Sequence, residues 1–216
     1  MQWIDVVTRL REVLSDPLGT RFPDAMLEEA VRQALREVDG TLPRVIEDEM
    51  TISSSGRDQP LPGLVDPLYL ISLSLPAGDE SCALEPEVGF TYRISGGQGV
   101  VHFVGGLVPQ TGQILKVTYA SRHTLNGLDA ALVTTLPEAL ITAVVNGAAG
   151  HACLLRAHSL HGVSGVKPGE IGQLLQIAQL RLDLFQKNLN EQKVYQEFGF
   201  PPGFALDPWD KNREAF

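Results

Sequence analysis

Residues 112–148 read GQILKVTYASRHTLNGLDAALVTTLPEALITAVVNGA, and a change of hydrophobic period inside them decides the fold. ILKVTYASRH (114–123) reads as a strand that follows the Gln110-Thr111-Gly112 turn. Thr135-Leu136-Pro137-Glu138 then gives a helix start: threonine as cap, proline second after it, glutamate third. Leu140, Ala143, Val144, Gly147, Ala148, His151 and Leu155 line one face of the helix that follows. Ala143, Gly147 and Ala148 are small, so another backbone can approach closely there.

Upstream of this stretch the period is two. Ile46, Met50 and Ile52 share one face of a strand, with Glu47, Glu49 and Thr51 on the other and Asp48 interrupting the apolar side. The loop SSSGRDQPLPG (53–63) follows. Between Leu68 and Leu75, Tyr69, Ile71, Leu73 and Leu75 fall on one face and Ser72 and Ser74 on the other. VGFTYRIS (88–95) alternates again, and Gly96-Gly97-Gln98-Gly99 turns into VVHFVG. Short strands joined by glycine turns, with no helix between them to serve as a crossover, predict an antiparallel meander.

Further out the period is helical on both sides. Trp3, Ile4, Val7, Leu10 and Leu14 make one stripe, ended by Pro17 and Gly19. Leu27, Ala30, Val31, Ala34, Leu35 and Val38 make a second, starting near Pro23 and stopped by Gly40 and Pro43. After HSLHGVSGVKPG, a helix over about 170–196 repeats Ile171, Leu175, Ala178, Leu182, Phe185 and Leu189 at coiled-coil steps. A short link between two long helices predicts an antiparallel pair. The chain therefore reads as an α+β fold. Residues 1–42 and 128–196 form a helical bundle, 43–127 an inserted antiparallel β domain, and 197–216 an extended C-terminal arm.

Composition narrows the function. Of 216 residues, 44% are hydrophobic and 20% charged, which suits a globular chain. A net charge of -9 without a run of Lys or Arg argues against a phosphate-gripping groove and against adhesion to an anionic membrane, while leaving room for nucleic acid that slides past. Cys82 and Cys153 cannot form a disulfide framework and suit a reducing compartment. The start MQWIDVVTRLREVL lacks the pattern of a signal peptide, and no apolar run reaches the ~18 residues of a membrane span. The product reads as cytosolic when made.

His151, Cys153, His158 and His161 lie within eleven residues, but Cys153 would point away from His151 on a helix, so no metal site is predicted. Gly96, Gly97 and Gly99 lead into a strand, not into the helix of a phosphate loop, and Gly105-Gly106 reads as a bend. Ser53-Ser54-Ser55 lacks a nucleophile-elbow setting. Glu47, Asp48 and Glu49 would alternate across a strand. No catalytic residue and no cofactor are predicted, and the profile is that of a structural or binding protein, not an enzyme.

The last segment, FGFPPGFALDPWDKNREAF, is different. Pro201, Pro202 and Pro208 forbid a regular helix, yet Phe198, Phe200, Phe204, Trp209 and Phe216 are five of the chain's fourteen aromatics. They either fold back on the chain's own core or dock on a neighbouring subunit or partner as interface anchors.

The order of elements is similar to that of the head–tail connector (adaptor, or neck) proteins of tailed bacteriophages. The likeness runs over about residues 20–200. It is carried by Gly112-Gln113-Ile114-Leu115-Lys116-Val117-Thr118-Tyr119, by Ser121-Arg122-His123 and by Thr134-Thr135-Leu136-Pro137. The 53–63 loop departs from it. The resemblance implies a helical bundle with a β-rich insertion and a C-terminal extension, and a structural role in the virion. It implies a twelvefold ring beneath the portal protein, made in the host cytoplasm, that presents a platform to tail, stopper or tail-terminator proteins. DNA would only pass through its channel, and no membrane would be involved. Two other classes stay open. One is another tail-completion or baseplate protein. The other is a glycan- or small-molecule-binding β module using Tyr69, Phe90, Tyr92, Phe103 and Tyr119.

Overall fold

The computed structural model describes residues 1–77, 80–84, 89–95, 98–167 and 169–198. The chain forms two compact units, one from Met1–Leu42 and the chain from His123 onward, the other from Pro43–Arg122.

In the helical unit, α1 (Trp3–Val13), α2 (Asp24–Thr41) and α4 (Glu170–Phe198) all pack on α3 (Glu138–Leu160). The residues of α3 explain this centrality. Leu140, Ile141, Val144, Val145, Ala148, Ala149, Ala152 and Cys153 are buried around most of its circumference, so it has almost no polar face to give to water. By length and composition α3 is apolar enough to cross a membrane, which corrects the sequence reading that no stretch is; here it is mostly buried as the core helix of the unit. Its glycines admit α4 closely. A Cβ on Gly147 would lie 3.0 Å from the Phe185 ring, and one on Gly150 would lie 2.7 Å from Leu182 Cγ and 3.2 Å from the Ala178 carbonyl.

Several helical details differ from expectation. Thr135 does not cap α3: Pro137 holds the cap position, and Thr135 Oγ1 instead accepts the Thr124 amide at 2.8 Å while the Thr135 amide returns to Thr124 O. In α1, Val6 is buried and Ile4 exposed, because the helix presents its 6–7–10 face to the unit. In α4, Ile171, Ala178, Leu182, Phe185 and Leu189 pack in the cluster as read, and only Leu175 departs, being exposed while Leu174 is buried in its place. Pro23 precedes α2 at its cap, and the helix continues through Gly40 to Thr41.

Asp16 organises the α1–α2 link. It is buried, and its carboxylate accepts the amides of Thr20 (3.0 Å), Arg21 (3.1 Å) and Phe22 (2.8 Å) and the Thr20 hydroxyl (3.3 Å). Burial pushes its pKa up, but the backbone donors outweigh burial and hold the carboxyl below its usual range. A lowered native pKa contributes stability that is present in full above the unfolded value and lost as pH falls through the native one. Asp16→Ala is expected to cost about 2 kcal/mol at neutral pH by removing the acceptor of three amides. That deficit should shrink below about pH 4. Denaturant melts at pH 7 and pH 3 check this, and an equal deficit at both refutes it.

The β unit holds two antiparallel sheets. One has the order β1-β7-β3-β4, from β1 (Arg44–Thr51), β7 (Ile114–Ser121), β3 (Pro67–Ala77) and β4 (Glu80–Leu84). The other has the order β2-β6-β5, from β2 (Asp58–Leu61), β6 (Gln98–Phe103) and β5 (Phe90–Ser95). The α+β class and the antiparallel pairing stand as read. Within them, the first strand pairs with the last, and β2 with β6, rather than each with its sequence neighbour as a meander requires. Two strands escaped the sequence reading. β2 lies inside the supposed 53–63 loop, where Pro60 is tolerated because β2 is a sheet edge. There Gln59, buried, donates to the carbonyls of Ser54 and Gly56, both at 2.8 Å. β4 is likewise an edge.

Asp48, which interrupts the apolar face of β1, has a partner there: the fully buried Tyr119 donates its hydroxyl to Asp48 Oδ2 at 3.0 Å and accepts the Val65 amide at 3.2 Å. Burial, with the Asp48 hydrogen bond and charge added, holds this phenol above its usual pKa. Ser121 Oγ donates to Val65 O at 2.8 Å, so β7 grips the 62–66 loop twice. Register shifts in β3 between Pro67 and Tyr69 and between Leu70 and Ser72 reverse the expected phase at its start. Leu70 is buried and Tyr69 exposed, while Leu73 and Leu75 face the core as read.

Candidate interaction surfaces

Of the five aromatics expected to anchor a partner, Phe198 is the last residue of α4. Phe200, Phe204, Trp209 and Phe216 lie outside the described residues. The aromatics weighed for a small-molecule site do not converge. Phe90, Phe103 and Tyr119 are buried in sheet packing, Tyr92 is half-buried, and Tyr69 is exposed.

The histidine cluster separates by environment. Gln186 donates to Glu37 Oε2 at 2.9 Å, which joins α2 to α4; His151 Nε2 of α3 lies 2.9 Å from Glu37 Oε1 but outside hydrogen-bond geometry. Cys153 is buried, and burial pushes its thiol up to about 11, so it stays protonated at neutral pH. His158 and His161 are exposed at the end of α3. Among the described residues no three metal-ligating side chains gather. Glu47, Asp48 and Glu49 alternate along β1, with only Asp48 turned inward.

What the helical unit does present is apolar surface. Ile177, Leu180 and Leu184 on α4 are exposed, at successive steps of three and four residues. This is the face that the sequence seam missed: α4 packs on α3 through Leu174, Ala178, Phe185 and Leu189, and carries a second apolar stripe outward. Periodicity contained a short signal, because Ile177, Leu180 and Leu184 keep steps of three and four beside the seam, bounded by Gln173 and Lys187. Near the stripe, a cleft of about 440 Å³ is lined by Arg9, Glu12, Val13, Thr142, Val145, Asn146 and Arg181. Arg181 donates to Asn146 Oδ1 at 3.0 Å.

A second surface is the loop before α3. Leu132 is 86% exposed and Val133 65%. The loop is nevertheless fixed. Asp129 (φ 51) and Ala130 (φ 60) are left-handed, the Gly127 amide donates to Ala131 O at 2.9 Å, and the Ala131 amide donates to Leu128 O at 2.9 Å. Arg32 Nε grips the Asp129 carboxylate at 2.9 and 3.1 Å.

No protein-family model matches the chain, and no curated protein is similar to it. Among solved structures, a chain in the neck of an empty gene transfer agent (GTA) particle computed with C6 symmetry is 22% identical, with a TM-score of 0.28. That likeness covers 80% of this chain and 87% of that one. A chain in the virion of a native GTA particle is 21% identical over 79% of this chain and 86% of that one, TM-score 0.29. A chain in the neck of a native GTA particle computed with C12 symmetry is 19% identical over 82% of this chain and 92% of that one, TM-score 0.28. Superpositions this loose carry no functional argument.

Proposed function

We propose that the protein is a structural, non-enzymatic component of the neck of a tailed, phage-like particle. It is a head–tail connector whose subunits form a ring beneath the portal, in the virion, and hand DNA on to tail, stopper or tail-terminator proteins. One observation carries the reading: two unlike apolar surfaces, the outward stripe of α4 and the Leu132–Val133 loop, stand on separate elements of the helical unit. A closed ring of identical subunits requires two different surfaces per subunit. The net charge of -9 suits a channel that DNA must leave quickly, since acid does not retain phosphates. In the same reading Phe198, Phe200, Phe204, Trp209 and Phe216 anchor the subunit to the portal or to a neighbour.

Electron microscopy of particles carrying a labelled copy of the chain tests this. The label is expected as a twelvefold layer between portal and tail, and particles lacking the chain should hold or leak DNA and lack tails. A label at the baseplate, or normal tailed particles without the chain, overturns the reading.

A further inference from the structure

The two apolar surfaces also match each other. The Leu132–Val133 loop is a knob: two large side chains held out on a short loop whose bend is fixed by left-handed residues and by the Arg32–Asp129 pair. A fixed apolar knob pays little ordering cost when it docks. The α4 stripe is a flat apolar receptor three side chains long, Ile177, Leu180 and Leu184.

Charge favours one pairing. Arg181 borders the stripe and, with Arg9, lines the adjacent cleft. Among the described residues neither guanidinium meets an acid of its own chain; Arg181 has only the Asn146 amide oxygen. Glu12 shares the cleft, leaving two cations against one anion. The knob carries Asp129 at its base, with its side chain 58% exposed despite the Arg32 contact. Asp129 is held by Arg32 through both oxygens yet keeps room for a further donor. Arg9 and Arg181 are the cations on the side of the stripe away from Asp183, so apolar tips meet an apolar stripe while a carboxylate meets spare cations.

We infer that the Leu132–Val133 knob of one copy seats on the Ile177–Leu180–Leu184 stripe of a second copy, with Asp129 directed at the Arg9–Arg181 cleft. The contact is head-to-tail, so a pair keeps one knob and one stripe free, on different copies, for further neighbours. It names the surfaces of the ring proposed above and rests on that reading for the ring's closure.

Light scattering of the full chain over a concentration series, with two double variants, tests it. Wild type should gain mass with concentration. L132D/V133D and I177D/L180D should each associate at least tenfold more weakly, with unchanged circular dichroism because all four side chains are exposed. An equimolar mixture of the two variants should form a heterodimer and stop there, since each supplies the half that the other lacks. If I177D/L180D loses helix, Leu180→Ser takes its place.

The inference is overturned by a wild type that stays monomeric at about 1 mM, where even a weak specific contact registers. It is equally overturned by variants that associate like wild type, or by a mixture that fails to pair, as it would for a stripe-to-stripe dimer. Variants that associate normally sink this contact while leaving a ring built on other surfaces. The neck reading itself is decided by the labelled particles.

Discussion

Leu140→Asp is expected to abolish folding of the helical unit. Leu140 is 2% exposed in the first turns of α3, the helix on which the other three pack. Aspartate there either keeps an unpaired charge in an apolar site or takes up a proton. Either route costs several kcal/mol, together with the packing lost from leucine. Whole-domain stabilities are only about 5–15 kcal/mol, so one such change takes most of the margin. Loss of the helical far-UV signal, with the protein aggregating on expression, is the expected readout. Gly150→Ala grades the same interface more gently. Its methyl would meet Leu182, which can turn aside, and the Ala178 carbonyl, which moves only with α4. About 1–3 kcal/mol is expected for that overpacking. If Leu140→Asp melts within a few degrees of wild type, α3 is not the core.

Removing residues 199–216 is expected to do the opposite: leave the fold intact and block entry into particles. Among the described residues, the buried apolar cluster of the helical unit runs from Val6 to Leu189. By sequence, Pro201, Pro202 and Pro208 predict no regular helix, and aromatics of this kind suit the pockets of another protein, where a buried Trp or Phe anchor is commonly worth ~2 kcal/mol or more. The truncated chain should melt within about 2 °C of wild type, a shift equivalent to less than 1 kcal/mol at this size. It should then be missing from purified particles. A melting point many degrees lower means that Phe200, Phe204 and Trp209 cap the bundle instead. Normal incorporation means that they anchor nothing.

Element type was legible wherever the hydrophobic period was long, and failed where pairing overrode it. The helices follow from stripes of ten or more residues, and β1, β5, β6 and β7 from alternation bounded by glycine turns. β2 is four residues containing a proline, and only its pairing to β6 makes it a strand. The reversed phase of Tyr69 and Leu70 comes from bulges, which exist only once β7 is alongside. Thr135 carries the composition of a cap, yet its hydroxyl is taken by the Thr124 amide, a contact eleven residues away that local pattern does not encode. The outward stripe of α4 was present in the sequence. It was hidden because a helix with apolar residues on two faces has no single stripe to follow, and the heptad that reaches α3 was read alone.

The two places where the chain passes between its units lie at opposite ends of the sequence block that forms the β unit, yet each is tied locally to its counterpart. In the helical unit, the His123 amide donates to Asp39 Oδ1 at 2.8 Å, and His123 Nε2 lies 3.0 Å from Leu42 O. In the β unit, Arg44 stands opposite Ser121 at the start of the β1–β7 ladder. The eighty residues of Pro43–Arg122 thus leave and re-enter the bundle as a cassette with adjoining ends. Such a cassette can be lengthened, exchanged or remodelled by recombination without disturbing the register of any helix.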